Sequence, residues 1–138
     1  MYSMADRFAA GNLDMVRASE IVRAGSLLAN RVPFAFHSDF TMAPIQPLLL
    51  AWIAVNRLTA VGTVMAADQK IPAYNALQAI TSNAAYVLRL EDQTGSIKVG
   101  LKADFVVLGE NPMKVDRMKI KDVRVLETVF EGKSFPMR

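Results

Sequence analysis

Cysteine is absent from the 138 residues, and histidine occurs once, at His37. Without cysteine the chain can form no disulfide framework, no thiolate nucleophile and no Cys-based zinc site. Catalytic zinc usually takes three protein ligands from His and carboxylates. A single histidine therefore rules out a self-contained site of the ordinary kind. Phosphate-cradling loops are also missing. Gly95-Ser96-Ile97-Lys98-Val99-Gly100 has no following Lys-Ser/Thr and opens no helix, so its glycines read as turn residues. Long apolar runs are scarce too. The longest, Pro47 to Val55, falls far short of the ~20 residues that span a bilayer, and Met1 to Ala10 carries Asp6 and Arg7 in place of a signal-type run. These absences predict no membrane partner and a soluble, cytoplasmic chain.

Charge excludes another class. The net charge is +3 and the pI is near 9.4, but Arg17, Arg23, Arg31, Arg57, Lys70 and Arg89 are scattered. The C-terminal lysines alternate with Glu110, Asp116, Asp122 and Glu127. A nucleic-acid binder concentrates its cations on one face, so no nucleic-acid partner is expected. What the chain has in quantity is apolar residues, 52% against 21% charged. That share is high for a small domain, much of whose surface must face water. It predicts faces meant to meet another part of a larger body.

Along the chain, Met15, Ala18, Val22, Gly25 and Leu28 recur at helical spacing and predict an amphipathic helix over Leu13 to Ala29, with Asn12 as its N-cap. Val32 to Phe36 reads as a short strand buried on both faces. Its alternation puts Ala35, His37 and Asp39 on one side and Phe34, Phe36 and Ser38 on the other. After a loop at Thr41 to Pro44, Pro47 suits the first turn of a helix running to Leu58 that is apolar nearly all round and so buried. A loop from Thr59 to Lys70 precedes a helix starting near Pro72, with Leu77, Ile80, Ala84, Val87 and Leu88 on one stripe. Trp52 and Tyr86 read as core residues of these helices. Beyond a boundary near Asp92 to Gly95 the pattern becomes antiparallel β. Strands are predicted at Ala103 to Leu108, at Val123 to Phe130, and, after a Glu131-Gly132-Lys133 turn, at Ser134-Phe135.

One cluster carries chemistry: His37-Ser38-Asp39, at the C-terminal end of the predicted strand. In barrels of parallel strands that end holds the active site, and a carboxylate there can bind a metal or take a proton from water. Asp39 equally suits a cap of the following segment, and His37 a hydrogen bond within the barrel mouth. A Ser-His-Asp triad is excluded, because adjacent strand residues point to opposite faces.

The stretches Phe36-His37-Ser38-Asp39, Met42-Ala43-Pro44, Pro47-Leu48 with Trp52, and Ala54 to Thr59 resemble the last barrel strand and following helix of the amidohydrolase 3 group of metal-dependent hydrolases. The likeness continues through Ala76 to Thr81 and Ala84-Ala85-Tyr86. It then takes in the Gly-x-x-x-x-Gly-x-x-Ala-Asp-Phe-x-Val-Leu string of Gly95 to Leu108, Asn111-Pro112, and Thr128 to Lys133. Thr41 stands where relatives often have Pro, and Ser26 to Asn30 is slightly longer than usual.

The resemblance implies an α/β then β architecture: residues 1–92 as the C-terminal portion of a (β/α)8 TIM barrel, and residues 93–138 as the C-terminal strands of a composite β-sandwich. It implies a hydrolase acting on carbon–nitrogen bonds of small-molecule amides through water activated by a divalent metal, zinc. Asp39 would be the catalytic metal ligand and proton shuttle, and His37 would touch substrate. The family's histidine ligands from earlier strands have no counterpart, and Asp14, Asp68 and Asp104 do not match their positions. The chain alone is therefore expected to bind no metal and to be inactive, associating with the missing N-terminal part or with copies of itself. A non-catalytic, self-associating remnant is the alternative.

Overall fold

Every residue from Pro47 to Val55 is apolar, so the helix they form has no polar face to present to water. That helix, α4 (Pro47–Asn56), carries Pro47 in its first turn as expected and is the centre of the molecule. The computed structural model describes residues 2, 4–11, 14–41 and 43–137. Ala51, Trp52, Ala54 and Val55 of α4 form the core with Ala24, Ile71, Ala76 and Ile120.

The elements before α4 are short. They are α1 (Ala5–Ala10), α2 (Met15–Ser19) and α3 (Ala24–Ala29). The single helix expected over Leu13 to Ala29 is thus two helices, broken where Val22 takes a φ of +57°. Apolar spacing alone does not register the break, because Ala18 and Ala24 on either side are both fully buried. Leu13 and the expected cap Asn12 lie outside the described residues. Asp14 caps α2, its Oδ1 accepting from the Arg17 amide at 2.9 Å.

The strand expected at Val32 to Phe36 is extended backbone without a ladder partner. Its Phe36 amide donates to the Ala79 carbonyl at 3.1 Å. Phe34 and Phe36 do lie on one side, their rings 5.4 Å apart and both against the core. A strand is completed by its neighbours' backbone, and among the described residues no parallel neighbour is present.

The helix expected from Pro72 is also divided, into α5 (Ala73–Ala79) and α6 (Ser82–Val87). Thr81 departs from helical geometry between them, and its hydroxyl donates to the Leu77 carbonyl at 2.8 Å. The turn re-aims α6. Leu77 and Ile80 pack on the core, whereas Val87, Leu88 and Tyr86 are exposed. Tyr86 is therefore not a core residue. Trp52 is, at 5% exposure.

The C-terminal part holds a three-stranded antiparallel sheet in the order β1-β2-β3, from β1 (Phe105–Leu108), β2 (Val125–Phe130) and β3 (Lys133–Pro136). Glu131 and Gly132 form the β2–β3 turn at φ +48° and +78°, the left-handed geometry of tight hairpins. The Glu131 amide donates to Asp104 Oδ1 at 2.7 Å, and its carboxylate pairs with Lys102 at 2.7 Å. One sheet face carries the exposed side chains of Val106, Leu126, Phe130 and Phe135. No second sheet layer is present among the described residues.

A 3-10 helix, Arg117–Asp122, joins β1 to β2 and was not expected from the sequence. It is pinned to α4. Trp52 Nε1 donates to the Met118 carbonyl at 2.8 Å, and Asn56 Nδ2 to the Arg117 carbonyl at 3.0 Å. These bonds give buried polar groups their partners and seat Ile120 in the core.

Candidate functional site

The extended segment ends where Asp39 takes a φ of +52°, a left-handed conformation that Asp tolerates better than most residues. Strand alternation therefore stops at Ser38, and local geometry relates Asp39 to His37 instead. The Asp39 amide donates to His37 Nδ1 at 3.2 Å. With Nδ1 accepting, a neutral imidazole carries its proton on Nε2. His37 and Asp39, the two residues singled out from the sequence, are thus together and both exposed.

They stand at the rim of a cavity of about 500 Å³ between residues 35–39, α4 and the N-terminal residues Tyr2 and Met4. Its walls are apolar, chiefly Phe36, Leu49, Leu50, Ile53 and Ala54. Among the described residues, no three His, Cys, Asp or Glu side chains come together in a way that would hold a metal ion. The donor set of this chain therefore does not fit, by itself, the divalent ion that the resemblance implies. Asp39 and His37 amount to two donors, and Nδ1 of the second is engaged by a backbone amide.

Sequence reasoning missed Arg57, which also lines the cavity. It follows α4 at a φ of +58° and is 1% exposed. Its guanidinium donates to four backbone carbonyls: Met65 through Nε at 2.8 Å, Val22 through Nη1 at 2.7 Å, and Ser19 and Ile21 through Nη2 at 3.0 and 3.1 Å. Burial pushes it below the usual arginine value, with Asp68 and then Glu20 opposing. Ser19 ends α2, and Ile21 and Val22 lie in the α2–α3 connection, so Arg57 ties down the chain where the expected helix breaks. A charged residue just after an apolar run from Pro47 to Val55 was the available signal. Which carbonyls it would meet, three of them more than 30 residues away, was not readable.

Nearby, Gln69 is held at both ends. Its Oε1 accepts from the Ser26 amide at 2.9 Å, and its Nε2 donates to Asp68 Oδ2 at 2.8 Å. That hydrogen bond, the main cause, lowers Asp68 from its ordinary carboxylate value, and burial opposes it. No helix among the described residues is long and apolar enough to cross a membrane.

With this geometry in hand, a sequence model of the amidohydrolase family, the amidohydrolase 3 group, matches residues 1–135. An N-substituted formamide deformylase of Arthrobacter pascens is 29% identical over 107 residues, covering 78% of this chain and 20% of the relative. The Bacillus subtilis (strain 168) protein YtcJ, whose own amidohydrolase name is provisional, is 28% identical over 110 residues, covering 78% of this chain and 21% of the relative. The chain spans about one fifth of the length of both curated relatives. No solved structure matches.

Proposed function

The chain belongs to the amidohydrolase family, and from that premise we propose that it is part of a metal-dependent hydrolase acting on carbon–nitrogen bonds of small-molecule amides. Membership supports a hydrolase. The reaction, the metal and the substrate class belong to the proposal, because the matched relatives are about five times longer. The observation that carries the reading is the pairing of His37 with Asp39 at the mouth of an apolar cavity, within a match that spans nearly the whole chain.

In this reading Asp39 supplies one carboxylate to the metal centre and holds or moves a proton beside the scissile bond. His37 meets the substrate through its Nε2–H, which the Asp39 amide leaves free. The remaining ligands come from polypeptide outside these residues, as does the rest of the (β/α)8 barrel that residues 1–92 would complete. Residues 93–138 would contribute strands to the β-sandwich. The isolated chain is then inactive and holds no stoichiometric metal.

The test measures metal content and amide turnover of the chain alone, and again after mixing with the preceding four-fifths of a family relative. Activity is expected only in the mixture and is lost with Asp39→Asn. Turnover or tight stoichiometric metal in the chain alone would sink the proposal, as would a mixture that Asp39→Asn leaves fully active.

A second reading is favoured by the unladdered segment at residues 32–39 and the exposed apolar sheet face. Unpaired strand backbone is a template for another chain, and a non-catalytic protein could cover it by self-association. Light scattering separates the two. A defined oligomer without metal supports this reading, and a monomer that becomes active in the mixture supports the first.

A further inference from the structure

The cavity's charge pattern carries information about its ligand. Among the described residues that line it, Arg57 is the one permanent cation. Four of its N–H groups already donate to carbonyls, out of the five an arginine has. At most one remains, so the fork that grips a carboxylate through two parallel bonds is not available. Asp39, also in the lining, adds a negative charge that disfavours a bound anion. The rest of the lining is dominated by aliphatic and aromatic carbon from Phe36, Leu49, Leu50, Ile53 and Ala54.

Size points the same way. An apolar cavity of about 150 Å³ is enough to take benzene, and small-molecule sites run from about 300 to 1,000 Å³. A cavity of about 500 Å³ therefore accepts a ring with a short chain attached. A polar group on that chain would reach the rim, where the His37 Nε2–H is free of the Asp39 amide that holds Nδ1.

We infer that this cavity is a subsite for a bulky apolar substituent of an uncharged amide, and that it discriminates against substrates bearing a carboxylate. The amide part of the inference rests on the hydrolase reading. The preference for a neutral apolar group rests on the cavity alone.

The experiment titrates the isotope-labelled full chain with N-phenethylacetamide and with N-acetylphenylalanine, a pair differing by one carboxylate, and follows amide signals by NMR. N-phenethylacetamide is expected to shift signals of Phe36, Leu50 and Ile53, and N-acetylphenylalanine to bind at least tenfold more weakly. Ile53→Trp, which fills the cavity, should weaken the neutral probe at least tenfold. Leu50→Phe gives a partial loss and serves if the tryptophan variant does not fold. Equal or tighter binding of the carboxylate overturns the inference, as does binding that neither variant weakens. So do cavity signals that respond only to protein concentration, which would mean that a second copy of the chain fills the groove. The hydrolase reading fails separately, in the turnover assay with Asp39→Asn.

Discussion

Replacing Arg57 with methionine keeps an unbranched stem of similar reach and removes every bond its guanidinium makes. Four carbonyls, those of Ser19, Ile21, Val22 and Met65, lose a donor in one step. A hydrogen bond contributes about 0.5–1.5 kcal/mol net, more when one partner is charged, and four such bonds would sum to roughly 2–6 kcal/mol at the neutral-pair figure. Burial of the guanidinium opposes this, as its lowered pKa records, and methionine escapes that penalty. The expected net loss is about 2–4 kcal/mol. For a chain of this length that lowers Tm by roughly 6–16 °C.

Circular dichroism melts and urea titrations of wild type and Arg57→Met measure the loss. Hydrogen exchange at the Ala24 amide, which donates to the Val22 carbonyl at 2.9 Å, reports whether the α2–α3 connection opens first. Arg17→Met is the control. Its ion pair with Asp14 spans 3.9 Å between side chains 74% and 65% exposed, so its loss should stay below about 0.5 kcal/mol. If Arg57→Met proves as stable as that control, the four carbonyl bonds do not hold the connection and the reasoning fails.

Gly95 and Gly100 share a φ near +90°, but a Cβ at Gly95 would collide with the Ala85 side chain, whereas one at Gly100 meets open space. Gly100→Ala should therefore cost about 1 kcal/mol from backbone strain alone and Gly95→Ala about 3 kcal/mol or more, both read from urea midpoints. Trp52→Phe removes the donor to the Met118 carbonyl and part of the core volume. About 1–3 kcal/mol should be lost, with the Arg117–Asp122 segment gaining hydrogen exchange before the sheet does. Asp68 is lowered from its ordinary 3.8 chiefly by the Gln69 amide. A carboxylate with a lowered folded-state pKa adds stability above its unfolded value, and that stability is lost as pH falls through the folded value. Asp68→Asn should therefore flatten the acid side of the stability curve below pH 3.8. An unchanged acid limb would show that the Gln69 contact does not persist in solution.

Some of this was readable because it depends on composition over a few residues. The burial of α4 follows from a run with no polar position, and it holds whatever surrounds the helix. The turn character of Gly95 and Gly100 and the hairpin at Glu131-Gly132 follow from glycine's access to positive φ. His37 and Asp39 were singled out by strand alternation, but the hydrogen bond that joins them comes from the left-handed turn at Asp39, which alternation does not give.

What the tertiary structure decided depends on partners distant in sequence. Periodicity over Leu13 to Ala29 fits one helix, but three carbonyl bonds from Arg57, to Ser19, Ile21 and Val22, hold the chain where the helix breaks. The stripe from Pro72 to Leu88 loses its buried end at Thr81, where the chain turns away from the core. The segment at residues 32–39 has the composition of a buried strand, but a strand is defined by the backbone beside it, and the described residues supply none in parallel. Local composition sets which faces must leave water. Only the other elements, packed or absent, determine what each face meets.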